Sequence, residues 1–311
     1  MKNYISSSSI NTRLSHPSVL VNIAEENYFA YVQDAAADIL AHSNDPLILL
    51  SGPSGSGKTT TAHRIADALI QRGARARVLS MDNYFRSIDS YKEEEIPRDE
   101  EGNVDLESPL RLNIPLFSEH LKKLAAGEEV NMPIFDFATQ KVSGDVPLRR
   151  GRNEFLIIEG IHALNPMVTN DADSFCTCIY VSVRTRIQAG TGSVLHPRQI
   201  RLLRRICRDK LFRDRRPDQV FDMYKSVTRG EEKFIMPFKT RADIEIDTFM
   251  AHEPPVYKAM IYNELLRDKD LLSKYENYGQ IMDFLSAIDE IDPSYIPERS
   301  LIREFIGDLG R

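Results

Sequence analysis

Short apolar runs alternate with segments of helical periodicity along most of the chain. Each apolar run predicts a buried strand, because a strand covered on both faces is apolar throughout. These runs lie at residues 47–50, 76–81, 154–160 and 175–183, and residues 242–246 alternate like an edge strand. Apolar residues recur at helical spacing over residues 59–71 and 114–126. Alternating strands and helices predict an α/β fold, with a parallel sheet flanked by helices.

The remaining segments predict a hairpin and two distinct ends. Residues 141–152 carry turn and basic residues, and we expect a hairpin there, outside the main sheet. Residues 1–20 are rich in Ser and Asn and are expected to be poorly ordered or loosely docked. Residues 23–42 have a helical pattern, and residues 255–311 predict short helices broken by prolines. We therefore divide the chain into an N-terminal segment with one helix (1–45), a central domain (46–250) and a C-terminal helical extension packed on the core (251–311).

The composition is that of a globular protein and excludes several classes. Hydrophobic residues make up 42% of the 311 positions and charged residues 28%. The net charge of −6 gives no general reason to expect a nucleic-acid partner. Three cysteines cannot form a disulfide framework, and no apolar stretch is long enough to span a bilayer. Because the N-terminus also lacks the pattern of a signal peptide, we expect a cytoplasmic enzyme without a membrane or nucleic-acid partner.

Residues 52–60 fit the pattern G-x-x-x-x-G-K-[ST], in which a backbone loop binds the phosphates of a nucleotide. Its glycines allow the backbone N–H groups to point inward, and the helix predicted after it favours an anion at its N-terminus. Lys58 is expected near the β- and γ-phosphates, and the Thr59 hydroxyl can bind Mg²⁺. The predicted nucleotide-binding residues are Gly52, Ser54, Gly55, Ser56, Gly57, Lys58, Thr59 and Thr60.

Two carboxylates follow predicted strands downstream of this loop. Asp82 stands at the carboxyl end of a strand, where open α/β sheets bind ligands. The alternative role for Asp82 is that of a turn residue or helix cap. Glu159 ends an apolar strand in the manner of a Walker B acid, which helps to hold Mg²⁺. Thr59 and Glu159 are therefore the predicted metal site, for Mg²⁺ with ATP or GTP as the phosphoryl donor.

Residues 198–216 are strongly basic, since nine of them are Lys or Arg. On a helix, Arg201, Arg205 and Arg208 would share one stripe. A solvated basic face is one interpretation, and a nucleic-acid surface is another. Beside a phosphate-binding loop, however, a mobile basic lid can neutralise the charge that spreads over a transferring phosphoryl group.

Together these motifs resemble the uridine kinase and phosphoribulokinase family of P-loop kinases. The likeness is strongest to uridine–cytidine kinases and to a bacterial branch of uridine kinase-like nucleoside kinases. Besides the P-loop and the basic stretch, it depends on Ser-Met-Asp-Asn-Tyr-Phe at residues 80–85 and Pro-Ile-Phe-Asp-Phe at residues 133–137. It implies transfer of a phosphoryl group from a nucleotide to the ribose 5′-hydroxyl of a nucleoside. In that reaction, Asp82 and Lys58 would be catalytic, with Asp82 accepting the proton of the hydroxyl.

The resemblance implies roles for further residues. Tyr84 would lie in the nucleoside pocket. Asp105 would hydrogen-bond the ribose hydroxyls, with Glu107 as the alternative because of an apparent one-residue insertion. The implied arginines are those that face the nucleoside and the phosphates, Arg205 and Arg208, and those of the catalytic lid, Arg213 and Arg215.

The expected base pocket departs from that of the familiar pyrimidine kinases. Phe135 stands where they have Tyr, and Gln140 where they have His. Phe135 keeps a stacking surface, and Gln140 can still donate and accept hydrogen bonds. The acceptor is therefore either a uridine- or cytidine-like nucleoside or another small hydroxyl substrate, such as a sugar phosphate or pantothenate. A nucleotide-dependent switch protein is a further alternative. The sequence also allows the protein to form a homo-oligomer.

Overall fold

The structure, a computed structural model, describes residues 3–41, 45–170, 172–189 and 192–308. The parts of our predictions that concern residues 1, 2, 42–44, 171, 190, 191 and 309–311 lie outside these ranges. The strands in the described part are β1 (Tyr4–Ser6), β2 (Leu47–Ser51), β3 (Arg75–Ser80), β4 (Glu129–Asp136), β5 (Lys141–Arg149), β6 (Glu154–Glu159), β7 (Cys176–Ser182), β8 (Arg186–Gln188), β9 (Val194–Leu195) and β10 (Ile244–Asp247).

The α-helices of the same ranges follow most of these strands. They are α1 (Ser7–Arg13), α2 (Pro17–Ala41), α3 (Lys58–Gln71), α4 (Ile114–Ala125), α5 (Pro166–Thr169), α6 (Pro197–Arg213), α7 (Pro217–Phe234), α8 (Glu253–Arg267), α9 (Lys269–Leu272), α10 (Glu276–Ala287) and α11 (Arg303–Ile306). None of the helices within the described ranges combines the length and the apolar character needed to cross a membrane.

Five parallel strands form the central sheet in the order β10–β7–β2–β6–β3. Successive side chains of β2 point to opposite faces of this sheet. Ile48 and Leu50 pack in the core on one face, and Leu47 and Leu49 pack in the core on the other. Because both faces are covered, β2 is apolar at every position before Ser51. The predicted parallel sheet flanked by helices is confirmed.

The strand order brings three sequence motifs to one edge of the sheet. β6 lies between β2 and β3, so that Glu159 pairs in register with Leu50 on one side and Ser80 on the other. The chain leaves β2 into the glycine-rich loop, leaves β3 toward Asp82, and ends β6 at Glu159. Parallel strands place their carboxyl ends at one edge, and this edge is where such folds bind ligands.

The predicted strands and helices of the middle of the chain are observed, with ends shifted by at most two residues, except for the hairpin. The prediction of a hairpin within residues 141–152 is wrong: these residues contain one strand, β5, which pairs antiparallel with the preceding strand β4 in a separate two-stranded sheet. It therefore lies outside the main sheet, as expected.

The expectation of a loosely docked N-terminus is wrong for residues 3–20. β1 pairs in parallel with β8, and α2 begins at Pro17 rather than at residue 23. Ile10 is fully buried, and the Asn11 side-chain amide donates to the Ala287 carbonyl oxygen at 3.1 Å. The Ser- and Asn-rich composition therefore hides a few apolar and capping residues that attach this segment to the rest of the fold.

Candidate active site

The loop between β2 and α3 has the conformation that its glycines predict. Gly55 and Gly57 have positive φ angles of 73° and 82°, which favour glycine over other residues. A Cβ atom at Gly52 would lie 2.0 Å from the carbonyl oxygen of Val181, so a side chain cannot fit there. The loop thus forms a tight backbone turn at the N-terminus of α3, and this cradle fits the phosphates of a nucleotide.

Two buried arginines and a threonine hold the loop from behind. The carbonyl oxygens of the loop accept hydrogen bonds from Arg201 at 2.9 Å, Arg204 at 3.0 Å and Thr248 at 2.7 Å. These three bonds fix the loop from the side of its carbonyls, and the Ser56 N–H donates to the Pro53 carbonyl oxygen at 3.2 Å within it.

The position of Arg201 corrects our expectation that it belongs to a mobile basic stripe. Its guanidinium pairs with Glu231 at 2.5 and 2.7 Å, and Arg204 pairs with Glu253 at 2.7 and 3.0 Å. All four side chains are almost completely buried. Removing one partner of such a pair costs about 3–5 kcal/mol, because it leaves an uncompensated buried charge. These two arginines are therefore structural supports of the loop.

A cleft with a volume of about 630 Å³ lies next to the loop. The predicted site residues that line it are Ser54, Gly55, Gly57, Lys58, Thr59, Asp82, Glu159, Arg205, Arg208, Arg213 and Arg215. Those that do not line it are Gly52, Ser56, Thr60, Tyr84, Asp105, Phe135 and Gln140. The fold thus brings residues from four separate stretches of the sequence to one cavity.

Two carboxylates that line the cleft, those of Asp82 and Glu159, can bind a cation. Burial raises the pKa of both Asp82 and Glu159, and the positive charge of Lys58 offsets part of that effect. In the described ranges no three acidic, His or Cys side chains form a complete metal site. Magnesium is usually held by one or two carboxylates together with substrate phosphates, so Thr59 and Glu159 fit this ion when a nucleotide is present.

The side chain of Asp82 is not needed as a cap. The short 3₁₀ turn Met81–Tyr84 follows β3, and the hydroxyl of Ser80 caps it by accepting a hydrogen bond from the Asp82 backbone N–H at 3.3 Å. Asp82 lines the cleft together with Lys58 and Arg111. A carboxylate there can accept a proton from a bound hydroxyl.

Tyr84 lies away from the cleft, contrary to the role that the resemblance implies. In a 3₁₀ turn, residues three apart lie on one face, and Met81 and Tyr84 share the buried face of this turn. The Tyr84 hydroxyl hydrogen-bonds Nδ1 of His120 at 3.0 Å, and its ring packs edge-on against Phe117. Tyr84 is therefore a core residue, and Asp82 is the member of the turn that faces the cleft.

Glu107, rather than Asp105, lies in the cleft. The Asp105 carboxylate accepts a hydrogen bond from the Glu107 backbone N–H at 3.1 Å and so turns the chain. Oε2 of Glu107 is buried without a hydrogen-bond partner among the described residues. Burial raises the pKa of Glu107 to about 7, although Arg205 and Lys58 favour its ionised form. A buried acceptor of this kind is suited to a polar ligand group.

Gly230 of α7 leaves the space that Glu107 occupies. A Cβ atom at Gly230 would lie only 2.2 Å from the Cβ atom of Glu107. The position of this acid therefore depends on a glycine more than a hundred residues further along the chain, which no local sequence pattern indicates.

The amide of Gln140 is engaged inside the protein. Its oxygen accepts from Arg111 at 3.1 Å, and its nitrogen donates to the Phe137 carbonyl oxygen at 2.9 Å. Phe135 is buried, with its ring edge-on to Phe85 and Phe137, which line the cleft. The expected contacts of Phe135 and Gln140 with a base are thus replaced by support of an aromatic wall and of Arg111.

A C-terminal strap, residues 300–307, covers the N-terminal turn of α3. Leu301 packs against Gly57, where a Cβ atom would come within 2.9 Å of its side chain. The Thr60 hydroxyl donates to Glu304 at 2.6 Å, so it points to the strap rather than to a phosphate site. Glu304 itself lines the cleft, and the Ser56 side chain is fully buried. The strap therefore belongs to the nucleotide side of the site.

The charged cleft residues that were not predicted are Asp99, Glu101, Arg111, Asp222, Lys225, Arg229 and Glu304. Arg111 lies over the ring of Phe85, and Arg229 pairs with Asp99 at 2.6 Å. No local sequence pattern marks any of them as a site residue. Only the fold brings them near Lys58 and Asp82.

Comparison with known proteins identifies relatives of this chain. A model of the Phosphoribulokinase / Uridine kinase family matches residues 47–253. The uridine kinase of Borrelia duttonii (strain Ly) is 31% identical over 202 residues, which cover 64% of this chain and 85% of that protein. The uridine kinase of Staphylococcus aureus (strain JH9) is 31% identical over 201 residues, 64% of this chain and 86% of that protein. A solved structure of a possible uridine kinase from Bacillus stearothermophilus is similar with a TM-score of 0.45 and 18% identity, covering 70% and 98% of the two chains.

The region matched by the family model contains the P-loop, Asp82, Glu159 and the arginines of α6. The strap and the helices after α8 lie beyond it. The cleft combines a phosphate cradle, a carboxylate beside it and several cations, which is the equipment of phosphoryl transfer. The chain belongs to the phosphoribulokinase/uridine kinase family and is a phosphotransferase that moves a phosphoryl group from a nucleotide to a hydroxyl group of a small molecule.

Proposed function

We propose that the protein transfers the γ-phosphoryl group of ATP or GTP to the ribose 5′-hydroxyl of a uridine- or cytidine-like nucleoside. The observation that carries this proposal is the presence of two separate acids, Asp82 and Glu107, in the cleft beside the P-loop. One acid can accept the proton of the attacking hydroxyl, while the other accepts hydrogen bonds from neighbouring hydroxyls. A ribose offers both kinds of group.

The phosphate side supplies charge neutralisation and positioning. Lys58 would contact the β- and γ-phosphates, and Thr59 and Glu159 would hold Mg²⁺. Mg²⁺, when bound, neutralises charge on the phosphate oxygens. Arg213 and Arg215 would act as the lid that neutralises charge in the transition state, while Arg205 and Arg208 would contact the phosphates and the nucleoside.

A second candidate acceptor is another small molecule with a hydroxyl group, such as a sugar phosphate or pantothenate. Two observations favour it: the Gln140 amide is bound to Arg111 and to the Phe137 carbonyl oxygen, and the Arg111 guanidinium lines the cleft above the Phe85 ring. An arginine in this state can bind an anionic group of a substrate.

An acceptor panel distinguishes these proposals. The full chain would be incubated with Mg²⁺ and either ATP or GTP, and nucleotide turnover would be measured without an acceptor and with each of several acceptors. The panel comprises uridine, cytidine, adenosine, guanosine, a sugar phosphate and pantothenate. We expect a nucleoside to stimulate turnover and to be recovered as its 5′-monophosphate. Stimulation by the sugar phosphate or pantothenate alone would support the second candidate, and turnover indifferent to every acceptor would contradict both and favour a nucleotide switch.

Replacing Glu107 by glutamine should weaken acceptor binding more than nucleotide binding. Loss of hydrogen bonds to a charged group costs about 1.5–3 kcal/mol, so we expect the acceptor KM to rise roughly 10- to 100-fold. In the native protein, this KM should rise as the pH falls below about 7, where Glu107 becomes protonated and accepts fewer hydrogen bonds. The glutamine variant should lose that pH dependence.

The matched control is Glu100→Gln, which changes an exposed acid of the same loop. Its acceptor KM should stay unchanged at every pH. If the Glu107→Gln variant kept both the native KM and its pH dependence, Glu107 would not be an acceptor-binding residue.

A further inference from the structure

Asp209 on α6 is a fully buried acid among the arginines of the cleft. Its Oδ1 lies 2.8 Å from Arg208 Nη2 and 3.3 Å from Arg213 Nη1. Its Oδ2 lies 3.1 Å from Arg215 Nη1. One carboxylate therefore contacts three guanidinium groups, and all three arginines line the cleft while Asp209 does not.

The main chain reinforces this arrangement. α6 ends at Arg213, and Asp214 adopts a left-handed conformation with a φ of 49°, which turns the chain back. The backbone N–H of Arg215 then donates to the carbonyl oxygen of Asp209 at 3.1 Å. Both the side chain and the main chain of Asp209 thus determine where Arg213 and Arg215 lie.

The carboxylate compensates for repulsion among the arginines. Arg213 and Arg215 are 46% and 34% exposed, so contacts with the protein restrain only part of each side chain. Burial lowers the pKa of Arg213, and the charges of Arg208 and Arg215 lower it further, whereas Asp209 opposes this effect. Without the acid, these flexible cations would separate and turn toward solvent, where water screens their charges.

We propose that Asp209 is a positioning residue that holds Arg213 and Arg215 ready over the phosphoryl group during transfer. It acts through these arginines and does not touch the substrates. This inference depends on the lid role proposed above for the two arginines, but not on which hydroxyl compound is the acceptor.

The direct test is Asp209→Asn, which keeps the shape of the side chain and removes its charge. Misplacement of catalytic groups by about 1 Å can lower the rate on the order of 10²-fold, so we expect kcat to fall roughly 10- to 100-fold. The KM values for nucleotide and acceptor should change much less, because lid contacts matter most in the transition state. Asp268→Asn, which removes the charge of an acid paired with Arg267 at the surface, should leave kcat unchanged.

A double-mutant cycle separates positioning from a merely structural role. Arg215→Ala alone should also lower kcat, and Asp209→Asn combined with it should lower kcat by less than the two single effects added together, because only the contact with Arg213 is left to lose. Additive losses would mean that Asp209 acts independently of Arg215 and would overturn the proposal. The same cycle with Arg213→Ala tests the other lid residue. If Arg213→Ala and Arg215→Ala both kept the native kcat, the proposal would also be overturned.

A second substitution covers the case in which Asp209→Asn does not fold. Asp209→Glu keeps the charge but moves the carboxylate by one methylene group. We expect a folded enzyme with lowered kcat and near-native KM values, whereas native kcat would contradict a positioning role. Every double-mutant cycle is measured with the acceptor that the acceptor panel identifies. If that acceptor is not a nucleoside, the panel shows this separately, and the test of Asp209 is unaffected.

Discussion

Lys58→Ala should reduce phosphoryl transfer by at least ~10³-fold, because losing one preorganised charge-stabilising group commonly costs 10²- to 10³-fold and Lys58 faces the most charged part of the donor. Lys58 begins α3, lines the cleft and lies near the carboxylates of Asp82, Glu107 and Glu159. Its removal takes away a cation that would contact the triphosphate and that favours the ionised form of these acids. The measurement is kcat/KM, with Tm recorded on the same preparation.

The control for this variant is Lys122→Ala, at an exposed lysine of α4. Both variants should fold, since Lys58 is only partly buried and its Nζ donates to the Pro53 carbonyl oxygen at 3.2 Å, a contact at the edge of the cleft. If a folded Lys58→Ala protein kept most of its activity, phosphate binding would not depend on this loop.

Asp82→Asn should lower transfer by roughly 10²-fold or more, the range expected when a positioned general base is lost. Asparagine keeps the shape and cannot accept the proton of the attacking hydroxyl. Nucleotide affinity should stay close to native, because the P-loop remains intact. Nucleotide binding and acceptor phosphorylation would be measured on one preparation.

A real capping aspartate provides the comparison for Asp82. Asp292 caps the short turn Pro293–Tyr295 by accepting from the Ser294 backbone N–H at 2.8 Å. Asp292→Asn should be almost silent, since asparagine caps nearly as well as aspartate. Should Asp82→Asn prove equally silent, Asp82 would have no part in proton transfer, and the argument for a kinase over a nucleotide switch would lose its main support.

The parts of the site that sequence reasoning found are those encoded locally. The loop, Lys58 and Thr59 belong to one contiguous motif, and Asp82 and Glu159 each follow a recognisable strand. The parallel sheet then brings these segments together, because parallel strands end at one edge.

The parts that sequence reasoning placed wrongly depend on contacts between distant residues. Helical periodicity put Arg201 on a stripe with Arg205, but a partner 30 residues away, Glu231, makes it a buried support. Tyr84 stands two residues from Asp82, and only the tight pitch of the 3₁₀ turn sends it into the core. The sequence leaves Asp105 and Glu107 as alternatives. The turn at Asp105 and the space at Gly230 determine that Glu107 is the acid that enters the cleft.

The C-terminal strap has a consequence for how this protein folds. Thr60 and Glu304 are separated by 244 positions, and the contact between them helps to cover the first turn of the P-loop helix. Bringing such distant segments together carries a larger loop-closure entropy than forming the strand and helix around the P-loop, which are neighbours in sequence. The strand, loop and helix can therefore form early, while the strap docks late. We therefore expect firm nucleotide binding to develop only after the distant segments, the strap and the arginines that hold the loop, have docked.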